Sequence, residues 1–390
     1  MNYYTAKAEC DRLNRQIVQA NLRYANMVHV PEFCRQSSGN CLVFGGSPEL
    51  RNEFSAEKVL AEARKCQYPV IVLTSSELLF HRLRQEAENH SVDAVITSRK
   101  YPNYEFFRGW SRTRIAEFFE QISSDASSGF YANAFLDILF SSRQPVTLKF
   151  MRELAGHTDA EIALIGRNVH APAHAINVVA NYSQEANLFR SDLYRFCAAV
   201  KDLVPGGGRG YSLSEPSLEN GVIYLIDIHS PHANLLNQYF AEELRQILSA
   251  SSQVLVFYTD VNLNQGSPLL DVLTEAQALG AMIGVSVESA GSIRERSLRF
   301  RTNILLMDET EDNQRLEADL KTFGSGNYFY PRFNGRSMIR WKLSNAWEVG
   351  TVLSRNWVPI GNASGMRAIL QGDRGNQVTL ARNLSLPKNY

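Results

Sequence analysis

Cys41–Phe44 is a short apolar run that meets two glycines, and the chain then continues Ser47-Pro-Glu-Leu50-Arg51-Asn52 into a helix-like segment. Strand, glycine turn and helix in that order are the setting of a phosphate loop, G-x-x-x-x-G-K-[ST]. Its backbone N–H groups wrap phosphates, its lysine reaches the outer ones and its hydroxyl holds Mg²⁺. Aligned on Gly45, the second glycine is Leu50, the lysine is Arg51 and the hydroxyl residue is Asn52. Each change works against that chemistry. A leucine Cβ resists the backbone shapes glycine permits, and Pro48 removes one N–H from the cradle. Glu49 and Glu53 add negative charge beside a polyphosphate. Arg51 keeps a positive charge on a bulkier, planar fork, and Asn52 offers a metal a weaker oxygen. Gly45, Gly46, Ser47, Arg51 and Asn52 are the candidate nucleotide-binding residues. Three readings stay open: a strand-to-helix turn without ligand, nucleotide binding without turnover, and hydrolysis by an unusual loop.

Hydrolysis of this type also needs an acid that ends a buried strand and holds Mg²⁺, followed by a glutamate that orients water. Two strands end suitably, at Asp227 and Asp260. Asp260 is the better placed, because residues 261–266 lead into a well-capped helix, and it is the candidate Mg²⁺ ligand. Val261 follows it, so the catalytic glutamate is missing; a turn-forming acid is the other reading of Asp260. His170 and His174 have the i, i+4 spacing of a helical metal pair, but Pro172 stands between them and no third ligand is evident. Ser47 lies in GGSPE, a poor nucleophile elbow without a paired histidine. The glycine run 206–210 neither follows a strand nor opens a helix and reads as a connection.

The elements that must position these residues follow from periodicity. Cys41–Phe44, Pro69–Leu73 and Ala94–Thr97 are short buried strands, separated by helical stretches at Ser55–Lys65 and Glu77–Ala87. Such alternation implies parallel strands with helices on the sheet faces. The middle of the chain is helical instead. Ile115, Phe118, Phe119 and Ile122 share a helical face, as do Phe130, Ala134, Phe135, Ile138 and Leu139, and as do Phe189, Leu193, Phe196 and Val200. Thr158 and Glu161 have the spacing of a capping box. Alternation resumes with strands at Val222–Ile228, Val254–Tyr258, Met282–Val287 and Ile304–Met307. Between them lie helices with the buried stripe Leu236, Phe240, Leu244 and Ile247, with Pro268 opening one and Gly280 stopping it, and with Arg315–Phe323. Ser337–Leu343 reads as an edge strand, and residues 345–390 are turn-rich without a placeable element.

The order of these elements resembles the TraG-like conjugative coupling proteins of type IV secretion, a branch of the DNA-translocating P-loop ATPases. In that family the phosphate-loop strand is followed by a strand with Asp-Pro-Lys-Gly-Glu-Leu. Here PVIVLTSSELLFHRL keeps the strand, Glu77 and Leu78, with Thr74-Ser75-Ser76 where Asp-Pro-Lys would stand. An all-helical domain, a strand like VIYLIDI, an acid-ending strand with a capped helix, and a strand ending near a sensor glutamine complete the likeness. Glu288 stands near the sensor's place. The resemblance covers roughly 38–340; it is specific in element order and departs from the family at lysine, glutamate and glutamine.

The expected fold is α/β and P-loop NTPase-like, a mainly parallel central sheet flanked by helices with an all-helical insertion. The expected organisation is a lead-in at 1–37, a discontinuous core at 38–104 and 205–344, an insertion at 105–204 and a tail at 345–390. The family implies ATP and Mg²⁺ as cofactors, DNA and secretion proteins as partners, and a ring-shaped oligomer. It also implies that an arginine near 294–301 reaches a neighbour's nucleotide. Arg294 and Arg296 are therefore catalytic candidates alongside Asp260 if the site is active, and with Arg299 and Arg301 they alternatively touch nucleic-acid backbone or form a solvated face.

The first expectation for function is a degenerate nucleotide-binding or non-hydrolysing assembly and binding subunit. The alternative is a DNA-stimulated ATPase with Arg51 in place of lysine. A third is a nucleic-acid-binding module built on the arginine run. With 40 basic and 40 acidic residues the whole chain has no electrostatic grip on a polyanion, which leaves only a local patch for that role. No apolar stretch approaches the ~18 residues of a membrane helix, and the polar start lacks a signal-peptide apolar region. The five cysteines are scattered and form no CxxC pair, as in a reducing cytoplasm.

Overall fold

The computed structural model describes residues 39–45, 47–123, 125–206, 210–214, 218–250, 253–259 and 268–288, together with short pieces at 28–29, 34–35, 293, 298, 300, 302–306, 331–332, 337–338, 347–353 and 356–362. In chain order the elements are β1 (Val28–His29), β2 (Cys41–Gly45), α1 (Pro48–Ala63), β3 (Val70–Thr74), α2 (Glu77–Asn89) and β4 (Ala94–Thr97). Six helices follow with no strand between them among the described residues: α3 (Arg112–Ile122), α4 (Ala126–Ser141), α5 (Leu148–Ala155), α6 (Asp159–Asn168), α7 (Ala173–Asn181) and α8 (Ser183–Val200). Then come β5 (Ile223–Asp227), α9 (Ala233–Ala250), β6 (Leu255–Thr259), α10 (Pro268–Ala278), β7 (Met282–Val287) and β8 (Thr302–Leu306). The last strands are β9 (Pro331–Arg332), β10 (Ser337–Met338), β11 (Trp347–Leu353) and β12 (Asn356–Asn362). The chain divides into two compact units, Met1–Glu62 with Gly284–Tyr390, and Ala63–Ile283.

In the first unit β2 runs parallel to a neighbour on each side, with Leu42 opposite Val285 of β7 and opposite Asn303 of β8. Every residue of β2 is buried, which is why its sequence is an unbroken apolar run rather than an alternating one. β11 lies parallel on the far side of β8, β12 turns back antiparallel to β11, and β1 pairs with β12. The β11–β12 hairpin falls where the sequence yields no element. Gly350, Pro359 and a register shift between Val349 and Gly350 break the alternation that would reveal it. Helix α1 buries a charged pair on its inner face: Lys58 Nζ meets Glu62 Oε1 at 2.8 Å with both side chains fully covered, and donates a second bond to the Cys34 carbonyl. Of the predicted strand Ser337–Leu343 only Ser337–Met338 is described, antiparallel to β9. The expected lead-in helix and the expected helix Arg315–Phe323 lie outside the described residues.

In the second unit four strands stand in the order β6-β3-β5-β4, all parallel. β3 is buried along its length, whereas β4, at the edge, is only half covered. The helical faces read from the sequence are the buried ones. Ile115, Phe118, Phe119 and Ile122 are covered in α3, and Phe189, Leu193, Phe196 and Val200 in α8. Thr158 and Glu161 form the capping box of α6, and the stripe Leu236, Phe240, Leu244 and Ile247 is the buried side of α9. Phe130 departs from its predicted face: it is 53% exposed, with the Tyr182 ring edge-on at 5.3 Å.

The chain passes between strands and helices at two adjacent crossings. Tyr211 N–H donates to Asn103 O, and Glu105 N–H donates to Tyr211 O. Gly210 is required there by close approach, since a Cβ at that position would fall 2.4 Å from the Asn103 carbonyl oxygen. Beside the crossings Tyr104, Phe106, Phe107, Trp110 and Phe196 pack edge-on or stacked around Tyr239 of α9. Glu243, one turn along α9, is fully buried beneath them. Its carboxylate accepts from Trp110 Nε1 at 2.6 Å, Ser214 Oγ at 2.7 Å and Ser212 Oγ at 3.2 Å. The described residues are thus α/β, with mainly parallel strands flanked by helices.

Candidate functional site

The turn after β2 is short. Gly45 closes the strand with φ +76, a left-handed conformation that glycine adopts without cost. Helix α1 begins at Pro48, where a missing N–H and a fixed φ suit the first helical position. Residues 48–50, which in a phosphate loop would wrap the phosphates with their amides, are the first turn of this helix instead. The Arg51 N–H, at the lysine position of the motif, donates to the Ser47 carbonyl at 3.0 Å in a helical i→i−4 bond. The Arg51 side chain folds back over the same turn: Nη1 donates to the Gly45 carbonyl at 3.2 Å, and the residue is only 4% exposed. Asn52 is equally covered. Gly45 N–H donates to the backbone carbonyl of Glu288, the residue near the family's sensor position.

Gly45, Ser47, Arg51 and Asn52 are therefore neighbours around one turn, which the Arg51 side chain covers, with the Gly45 amide bonded to Glu288 and the Arg51 amide taken by the helix. Gly46, Asp260, Arg294 and Arg296 lie outside the described residues, as do Arg299 and Arg301. β6 ends at Thr259, whose hydroxyl donates to Thr74 Oγ1 of β3 at 2.8 Å. Thr74-Ser75-Ser76, at the place of the family's Asp-Pro-Lys, has a local job: the Ser76 side chain caps α2 by accepting from Leu79 N–H. His170 is in a left-handed turn outside any helix, and His174, in α7, bonds Asp137 at 3.2 Å. The two histidines share no helix, and no group of three His, Cys, Asp or Glu among the described residues is arranged to hold a metal.

In the sequence Asp227 reads only as a strand-ending candidate for Mg²⁺. The structure sets it at the carboxyl end of β5, on the wall of a cavity of about 710 Å³. Burial pushes its carboxyl above the ordinary aspartate range, with the His229 N–H bond pulling the other way. Its partners in that wall come from segments far apart in the sequence, so only the strand-ending position of the acid was a legible signal. No helix among the described residues is long and apolar enough to cross a membrane.

No family model matches the chain, and no curated protein matches it. Among solved structures it is similar to VirB4 of Thermoanaerobacter pseudethanolicus, at 9% identity over 76% of this chain and 83% of that one, with a TM-score of 0.47. It is also similar to the unbound monoclinic form of the bacterial conjugative coupling protein TrwBdeltaN70, at 14% identity over 77% and 76% of the two chains, with a TM-score of 0.44. A third similar structure is the plasmid coupling protein TrwB with the ATP analogue ADPNP, at 12% identity over 73% and 74%, with a TM-score of 0.44. Conjugative coupling proteins, to which the order of elements pointed, are thus among the structures this chain is similar to.

Proposed function

We propose that this chain is a coupling-protein-like α/β subunit that does not turn over nucleotide and serves a conjugation or secretion assembly by binding other proteins. The six-helix block acts in it as an inserted domain. The observation that carries the reading is the turn after β2. Efficient phosphoryl transfer depends on positioned amides and an outward cation. Here Pro48 has no N–H to offer, the Gly45 amide is bonded to the Glu288 carbonyl, the helix takes the amide of Arg51, and the Arg51 side chain is held on the Gly45 carbonyl. To reach a phosphate, Arg51 would have to leave a covered position and give up that bond.

Phosphate release from the purified chain, with ATP and Mg²⁺ and with or without DNA, tests this directly. The expected result is release no faster than the buffer blank under every condition. Turnover of several per minute that disappears in Arg51→Ala would instead establish the DNA-stimulated ATPase, with Arg51 acting as the loop's cation and Asp260 as the metal ligand. Calorimetry with ATP and Mg²⁺ separates binding from turnover: heat without phosphate release identifies a nucleotide-holding, non-hydrolysing subunit.

A further inference from the structure

The cavity beside Asp227 lies wholly within the Ala63–Ile283 unit and shares no residue with the Gly45–Asn52 turn. It opens outside the carboxyl ends of β3, β5 and β4, the side of a parallel sheet on which open α/β folds hold their ligands. Its floor is apolar, made by Phe80 of α2, Leu236 of α9 and Leu203, all buried. Its rim is charged in both signs. Asp227 and Asp202 supply carboxylates, as does Glu77, which meets His81 at 3.5 Å; Arg99 and Lys100, in the turn after β4, supply cations, and His229 adds to the polar lining.

These charges do not neutralise one another. Among the described residues Asp227 has one side-chain hydrogen bond, from His229 N–H at 2.9 Å, and is half-buried and in no ion pair, with the His229 and His81 imidazoles in its surroundings. No ion pair joins Asp202, Arg99 or Lys100 to any described residue. Opposite charges around one apolar floor that are held apart rather than paired are complementary to a molecule that carries both. A metal ion is a poor occupant, since no set of three ligating side chains is present among the described residues. A simple anion would leave the partly desolvated Asp227 uncompensated, which is costly.

We propose that this cavity binds a small zwitterion, an ammonium and a carboxylate on an apolar body, which is the chemistry of a hydrophobic amino acid. The ammonium meets Asp227, the carboxylate meets Arg99 and Lys100, and the apolar body covers Phe80 and Leu236.

The test compares three probes on the full chain by calorimetry or ligand-observed NMR: L-phenylalanine, phenethylamine, which keeps only the cation, and 3-phenylpropionate, which keeps only the anion. Phenylalanine is expected to bind about tenfold more tightly than either half, the scale of one charge-assisted hydrogen bond. Asp227→Asn should cost phenylalanine and phenethylamine about tenfold and leave phenylpropionate unchanged. The double substitution Arg99→Ala, Lys100→Ala should do the reverse; both residues are exposed, so this variant keeps the test open if Asp227→Asn does not fold. No saturable binding by the folded wild-type chain at millimolar probe overturns the proposal. Equal affinity for phenylalanine and phenethylamine, or affinities indifferent to both variants, overturns it as well. None of these outcomes bears on phosphate release, so failure here is distinguishable from failure of the non-hydrolysing reading.

Discussion

Glu243 is a fully buried carboxylate that joins three side-chain donors from two segments. Removing its carboxylate leaves an indole N–H and two serine hydroxyls facing a buried gap, so Glu243→Ala is expected to cost about 2–4 kcal/mol in urea unfolding. Burial pushes this carboxyl above the ordinary glutamate range, against the pull of Ser214, Tyr239, Trp110 and Ser212. The folded state then holds the proton more tightly than the unfolded chain does. The contribution of Glu243 is therefore full below the unfolded-state value and declines as pH rises through the raised folded-state value. Wild-type stability minus that of Glu243→Gln should fall as pH increases from the ordinary glutamate range upward. Urea titrations of both proteins across pH check this, and a difference that rises or stays flat would contradict the assignment. At the same scale, the sequence shows that Leu50 and Arg51 stand where a phosphate loop would have glycine and lysine. It did not show that Arg51 turns back on Gly45, because that depends on where α1 begins.

At the scale of elements, strands and helical faces were legible because each buries a periodic or continuous apolar set. Cys41–Phe44, Pro69–Leu73 and Ala94–Thr97 form β2, β3 and β4 with shifts of a residue at most. The β11–β12 hairpin was not legible, since Gly350 and Pro359 interrupt its alternation and its partner β8 is some forty residues away. The cavity beside Asp227 was hidden for a related reason: α2, the turn after β4, α8, β5 and α9 all contribute to it from separate parts of the sequence. Thr74-Ser75-Ser76 could be read from the sequence as a lost acidic motif, and its structural use is the cap of α2. Ser76→Ala should therefore destabilise the protein by about 1 kcal/mol, measured as a lower denaturation midpoint with an unchanged m-value. A much larger loss would show that Ser76 does more than cap.

At the scale of the molecule, the six helices α3–α8 share part of their core with α9. Their aromatic cluster is completed by Tyr239 and Phe240 of α9, and α9 also touches the sheet-side helix α10 through Arg245 and Glu275. Amides in α3, α8 and α9 are accordingly expected to share one opening free energy with β3 and β5 in native-state hydrogen exchange. Limited proteolysis should not release 105–204 as a resistant fragment, and its recovery as a folded piece would overturn this view. The clamp on α9 has a mechanical corollary. Glu242 grips Arg114 of α3 while the next residue, Glu243, grips both crossings, so a tilt of α9 reaches the helical block without slack. At that junction two successive residues of one helix hold two different parts of the chain, so a rotation of α9 is expected to turn α3 with it.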